Sequence, residues 1–229
     1  MMPQRQLPLP LEHRPSMASE DYLVAAPNEA AVAWLERWPD WPTLAMVLHG
    51  PPGCGKTHLS HLFSERSRGT IVDPRALGIG QAIDVAAHSA VCIVDNADAA
   101  VAAGFETPLL HLYNTLAERG GYLLLTAEAP PARWPIGLAD LRSRLNTATP
   151  VGIAAPDDAL IAGVLVKLFL DRRLAVADEV ILYALPRMER SFAAARQLVA
   201  DLDAAALGRR RKVTISLLRE VLQASGKAA

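Results

Sequence analysis

Residues 50–57 read GPPGCGKT. Gly50, Gly53 and Gly55 let the backbone curl so that successive N–H groups converge on one concavity. Pro51 and Pro52 prevent a helix or a central strand from running through it. The spacing G-x-x-x-x-G-K-[S/T] is that of a phosphate-binding loop. Lys56 supplies a cation for the β- and γ-phosphates, and Thr57 a hydroxyl for Mg²⁺. Such a loop needs a strand before it and a helix after it, whose N-terminus favours the anion. TLAMVLHG (43–50) is apolar and predicts a buried strand, and a helix is predicted from Lys56. The residues expected around a nucleotide are therefore Gly50, Pro51, Pro52, Gly53, Cys54, Gly55, Lys56 and Thr57, with His58 beside them.

A phosphate site of this kind needs an acidic residue at the end of a neighbouring strand. VCIVDN (91–96) supplies one. Four apolar residues end in Asp95, placed to hold Mg²⁺ together with Thr57. Asn96 follows, where ATPases of this architecture commonly carry the glutamate that activates water. A neutral amide takes no proton at physiological pH. The chain is expected to bind nucleotide and to hydrolyse it poorly; which nucleotide, ADP or ATP, the loop does not distinguish.

The rest of the chain alternates. Helices are predicted over 29–38, near 81–87, over 106–119 and over 138–146; strands over 70–73, 90–95, 122–127 and 149–153. That alternation predicts an α/β fold with a parallel sheet flanked by helices. After Pro156 only helical stretches follow, near 157–171, 178–187, 190–207 and 214–224, so a small all-helical lid domain is expected. The expected division is a tail over 1–20, a nucleotide-binding domain over 21–154 and the lid over 155–229. Trp34, Trp38 and Trp41 are read as a packing face at a helix end.

A net charge of −1 argues against a strong autonomous nucleic-acid binder. Cys54 and Cys92 form no CxxC pair and are read as reduced thiols of a cytoplasmic protein. No signal peptide, membrane span or histidine-rich metal motif is expected.

These motifs in this order resemble the AAA+ P-loop NTPase family, and within it the branch formed by the bacterial initiator DnaA and its regulatory homologue Hda. YLVAAPNEAAVAWL (22–35) resembles the segment that borders the adenine pocket, with Asn28 at the asparagine position. LLLTAEAPP (123–131) resembles the sensor-one region, where Thr126 and Glu128 are both candidates. DLRSRL (140–145) resembles the arginine-finger box, with Arg144 at the finger position and Arg142 as its local rival. ERSFAAARQLVADLD (189–203) resembles the sensor-two helix, with Arg190 as the sensor arginine.

The opening stretch QLPLPL (6–11) resembles the sliding-clamp-binding motif of the regulatory members. Its prolines favour an extended peptide, Gln6 is the polar anchor, and Leu7, Leu9 and Leu11 are the apolar ones. TISLLREVLQ is expected as the last helix, without the DNA-reading domain that follows in DnaA. The resemblance implies a regulator of replication initiation. Its partners would be the polymerase sliding clamp (β subunit), DnaA, DNA indirectly through the clamp, and a second copy of itself as a homodimer. It would sit at the nucleoid or replisome and donate Arg144 to ATP held by DnaA. A self-sufficient loader-like motor and a nucleotide-gated DNA-binding adaptor are the alternative readings.

Overall fold

The computed structural model describes residues 23–73, 75, 78–209 and 212–224. The expected tail motif, with Gln6, Leu7, Leu9 and Leu11, lies outside them. The described residues divide into two compact units, one over Ala26–Ala154 and one made of Leu23–Ala25 and the residues from Ala155 onward.

The first unit is a five-stranded parallel sheet: β1 (Ala45–His49), β2 (Thr70–Val72), β3 (Val91–Val94), β4 (Tyr122–Ala127) and β5 (Thr149–Gly152), in the order β2-β3-β4-β1-β5. Parallel neighbours require crossovers, and helices supply them: α2 (Lys56–Ser67), α3 (Ile79–His88), α4 (Ala97–Ala102), α5 (Glu106–Arg119) and α6 (Ala139–Asn146), with α1 (Glu29–Glu36) preceding β1. Strand side chains alternate between two covered faces. Ala45, Val47, Cys92, Val94, Leu123 and Leu125 pack with Ala82 and Ala86 of α3, Val101 of α4, Leu109, Leu112 and Leu116 of α5, and Leu141 and Leu145 of α6. Met46, Leu48, Ile93 and Leu124, equally buried, point to the opposite face, on which α1 and α2 lie. Both faces are buried, so the central strands read as continuous apolar runs rather than alternating ones.

Trp38 and Trp41 close one corner of this unit. Trp41 stacks on Phe63 with ring centroids 5.3 Å apart, and both tryptophans meet Tyr122 edge-on. The Trp41 indole N–H donates to the Trp34 carbonyl (2.8 Å). α4 was not expected from the sequence: ADAAVA is one short turn-and-a-half with no apolar period long enough to register.

The second unit contains α7 (Asp158–Asp171), α8 (Asp178–Ala184), α9 (Phe192–Arg209) and α10 (Ile215–Ala224). Asp157 caps α7, its carboxylate accepting the Leu160 N–H at 2.7 Å. Pro186 tightens the end of the second predicted stretch into a 3₁₀ turn over Leu185–Arg187, so α8 is shorter than expected. Ile161, Leu165, Phe169, Ile181, Leu198, Val199, Leu202, Leu218 and Val221 form this unit's own core.

Candidate functional site

The phosphate-loop candidates sit where β1 ends. Gly50 donates its N–H to the Ala127 carbonyl (3.2 Å), which ties the loop to the end of β4. No side chain fits here: a Cβ on Gly50 would lie 2.2 Å from the Ile153 carbonyl oxygen. Gly55 caps α2 with φ near +100°, a conformation that disfavours any L side chain. These two positions turn the chain from strand into helix within six residues, and they leave the α2 N-terminus at the carboxyl end of the sheet.

Lys56 is buried. Its ammonium donates to the Gly50 carbonyl (2.7 Å) and the Pro51 carbonyl (3.0 Å) and lies 3.8 Å from the Cys54 Sγ. The loop thus wraps its own cation. Burial pushes the Cys54 thiol up, and the nearby ammonium only partly opposes that. His49, the last residue of β1, is held below the ordinary histidine value by burial and then by the cations of Arg133 and Lys56. Pro51, Pro52, Gly53, Thr57 and His58 are exposed on the loop and the first turn of α2.

Asp95 follows the last residue of β3. In the β3–β4 register Val94 pairs with Leu125, so the next residues, Asp95 and Thr126, stand level. The fully buried Thr126 hydroxyl donates to Asp95 Oδ1 (2.5 Å) and accepts the Asn96 backbone N–H (2.9 Å). On the other carboxylate oxygen, Oδ2, Asp95 accepts the Thr57 hydroxyl (2.9 Å) and the Asn96 side-chain amide (3.3 Å). Four candidates, Thr57, Asp95, Asn96 and Thr126, therefore form one hydrogen-bonded set across three elements. Asn96 holds it with a left-handed backbone (φ 53°), a conformation asparagine tolerates better than most residues. The hydroxyl of Thr57 beside the carboxylate of Asp95 is an all-oxygen donor set of the type Mg²⁺ takes. No cluster of three or more His, Cys, Asp or Glu suited to a metal occurs among the described residues.

Glu128, the second sensor-one candidate, has an exposed side chain, and its backbone N–H is held by Asp98 Oδ2 (2.8 Å). Asp98, Asn96, Glu128, Arg133 and Trp134 line a cavity of about 360 Å³ beside the set. Asn28 is buried at the start of α1, and the Ala154 N–H, just beyond β5, bonds to the Pro27 carbonyl (2.9 Å).

The two arginines of α6 are placed differently. Arg142 donates through Nη2 to the Ile136 carbonyl, so it ties down the loop before its own helix. Arg144 lies 5.5 Å over the Tyr113 ring and 3.3 Å from Asp140, with its side chain 37% exposed. α6 precedes β5, an edge strand. In the second unit Arg190 forms a two-pronged pair with Asp158, Nε to Oδ1 at 2.6 Å and Nη2 to Oδ2 at 3.1 Å. That hydrogen bonding lowers the Asp158 carboxyl below its ordinary value and raises the guanidinium.

Residues 164–222 match the family model of the Hda lid domain. Domain III of the replication initiation protein DnaA from Thermotoga maritima superposes with TM-score 0.77 at 16% identity, covering 93% of this chain and 98% of that one. The chain shares its fold with that DnaA domain, and residues 164–222 are similar to the Hda lid. AMPPCP-bound DnaA from Aquifex aeolicus matches with TM-score 0.71 at 16% identity over 93% of this chain and 70% of that one. The RuvB Holliday junction branch migration motor of Thermotoga maritima matches with TM-score 0.66 at 14% identity over 86% of this chain and 66% of that one.

Four side chains escaped the sequence reading. His49 feels the charge of Lys56, Asp98 anchors Glu128, Glu106 grips the segment before α6, and in the second unit Asp158 pairs with Arg190. Only Asp98, an acid in the first turn after the acidic strand, carried a local signal. No helix among the described residues is long and apolar enough to cross a membrane.

Proposed function

We propose that this chain is an Hda-like regulator of replication initiation that binds an adenine nucleotide and promotes hydrolysis of ATP held by DnaA. The observation that carries the nucleotide half is the Thr57–Asp95–Thr126 set opposite a glycine loop that encloses Lys56. The regulatory half is supported by the Hda lid match together with the DnaA-like fold.

In this reading the α2 N-terminus and the loop N–H groups bind the phosphates, and Lys56 exchanges its carbonyl partners for phosphate oxygens. Thr57 and Asp95 would hold Mg²⁺, which when bound neutralises charge on the β- and γ-phosphate oxygens. Asn28 would border the adenine, and Arg190 stands at the position that the resemblance assigns to the sensor-two arginine. Thr126 keeps the Asp95 carboxylate oriented. Asn96 accepts no proton, and both carboxylate oxygens of Asp98 are taken by backbone N–H groups, those of Ala99 and Glu128. The bound nucleotide therefore turns over slowly and acts as a structural ligand.

Arg144 is the group offered to a partner. It is half-exposed, held by weak and replaceable contacts, and always charged. Placed against a developing charge on the γ-phosphate of a neighbouring ATPase, an arginine of this kind accelerates hydrolysis by roughly 10³–10⁵. Residues 6–11 would bring the chain to the DNA-loaded sliding clamp, where DnaA is met.

The test is a hydrolysis assay on ATP-loaded DnaA with DNA-loaded clamp, adding either the whole chain or one lacking residues 1–12. Stimulation by the whole chain and its loss on truncation are expected. Steady-state turnover by the chain alone at about 1 s⁻¹ or faster, in the range of working enzymes, with no effect on DnaA, contradicts the reading and favours a self-sufficient motor.

A further inference from the structure

Helix α6 begins without a cap of its own. Its N-cap position is Leu138, which has no acceptor to offer and makes no side-chain cap hydrogen bond. Leucine is among the poorest residues there, because the first N–H groups of the helix stay unpaired. A carboxylate from a different helix instead holds the two amides just before α6. The Glu106 carboxylate, in the first turn of α5, accepts the Gly137 N–H through Oε1 (2.8 Å) and the Leu138 N–H through Oε2 (2.6 Å). Both oxygens are used, so the grip fixes direction as well as distance. It also sets a negative charge at the positive end of α6. On the same loop Arg142 holds the Ile136 carbonyl, so three successive residues before the helix are tied.

α5 meets α6 a second time. Seven residues on from Glu106, about 10 Å along the helix axis, the Tyr113 ring lies under the Arg144 guanidinium. Leu141 and Leu145 press the intervening face of α6 into the core, but apolar contacts are non-directional and do not by themselves fix how far the helix slides or turns. The carboxylate grip does.

We propose that Glu106 is a positioning residue for Arg144: by holding from α5 the two residues that lead into α6, it sets where the arginine is presented to a partner's nucleotide. This rests on the reading of Arg144 as the donated arginine. Displacements of about 1 Å at a reacting centre cost on the order of a hundredfold in rate, so loss of the grip is felt in catalysis before it is felt in folding.

The experiment is stimulated hydrolysis of ATP bound to DnaA, followed over a range of concentrations of this protein with DNA-loaded clamp in excess. Glu106→Ala is expected to lower the plateau rate at least about tenfold and to leave the half-saturating concentration and the chain's own nucleotide affinity unchanged. Glu106→Gln keeps one carbonyl acceptor and is expected to recover part of the plateau. Should the alanine variant not fold, the glutamine variant decides, with a plateau clearly below that of the parent. A parental plateau in Glu106→Ala overturns the inference. So does a shift confined to the half-saturating concentration, which is the mark of a smaller folded fraction. Arg144→Ala is run beside them. Inactive Arg144→Ala with fully active Glu106→Ala refutes only the positioning role, whereas fully active Arg144→Ala removes the arginine reading and the inference with it.

Discussion

Replacing Thr126 by valine keeps the shape of a fully buried side chain and deletes only its hydroxyl. That hydroxyl makes two bonds, one donated to the Asp95 carboxylate and one accepted from the Asn96 N–H. A hydrogen bond to a charged acceptor contributes about 1.5–3 kcal/mol and a neutral one about 0.5–1.5 kcal/mol. Two effects offset the loss. Asp95 is half-exposed and can rehydrate, and the new methyl returns about 0.8 kcal/mol of apolar burial. The net expectation is a destabilisation of roughly 1–3 kcal/mol. All four tryptophans, Trp34, Trp38, Trp41 and Trp134, belong to the sheet unit, so tryptophan fluorescence in a urea titration reports that unit alone. The midpoint should fall with the slope unchanged. Nucleotide affinity should also lose part of its dependence on Mg²⁺, since Asp95 is no longer oriented. Thr126→Ser, which keeps the hydroxyl, should retain that dependence. A change below about 0.5 kcal/mol, the size of an ordinary surface substitution, would refute the claim that this hydroxyl organises the acidic strand end.

Lys56→Ala should weaken ADP and ATP binding on the order of a hundredfold or more, the value of two lost charge-assisted bonds; calorimetric titration with parental affinity would remove the phosphate-loop assignment. The Asp158 carboxyl should titrate below the ordinary aspartate value by NMR and return to it in Arg190→Ala. The sign follows from linkage: the depressed carboxyl favours folding fully above the ordinary aspartate pKa, and that contribution fades as pH falls through the folded value. Gln6→Ala combined with Leu9→Ala should abolish capture by the immobilised clamp with the melting temperature unchanged; a large thermal shift with intact capture would mean that these residues serve the chain's own fold.

The elements that the sequence disclosed best are those whose cause is local. β1 announces itself as an apolar run, the loop after it by glycines that no other residue replaces, and the end of α5 by Gly120, which takes a positive φ. The strand order was not legible, because pairing of β1 with β4 and β5 joins segments about seventy-five and a hundred residues apart through contacts that have no sequence period. The same limit applies to the site. The glycine loop, Lys56 and Asp95 follow from spacing. The choice between Thr126 and Glu128 does not, since it turns on which residue stands level with Asp95 in the β3–β4 register. Glu106 gave no signal at all, because its partners, Gly137 and Leu138, lie thirty-one and thirty-two residues on, and nothing in TPLLHL marks the preceding acid as a holder of the residues that lead into another helix.

The central claim is that the chain acts by lending an arginine to nucleotide held elsewhere. Single-turnover hydrolysis of labelled ATP on DnaA, with DNA-loaded clamp present, tests it most directly when the parent chain, Arg144→Ala and Arg142→Ala are compared at equal clamp occupancy. The account predicts that Arg144→Ala folds, binds nucleotide and binds the clamp as the parent does, yet gives no stimulation, while Arg142→Ala keeps most of it. Stimulation that survives the loss of Arg144, or that disappears only with Arg142, would contradict the account.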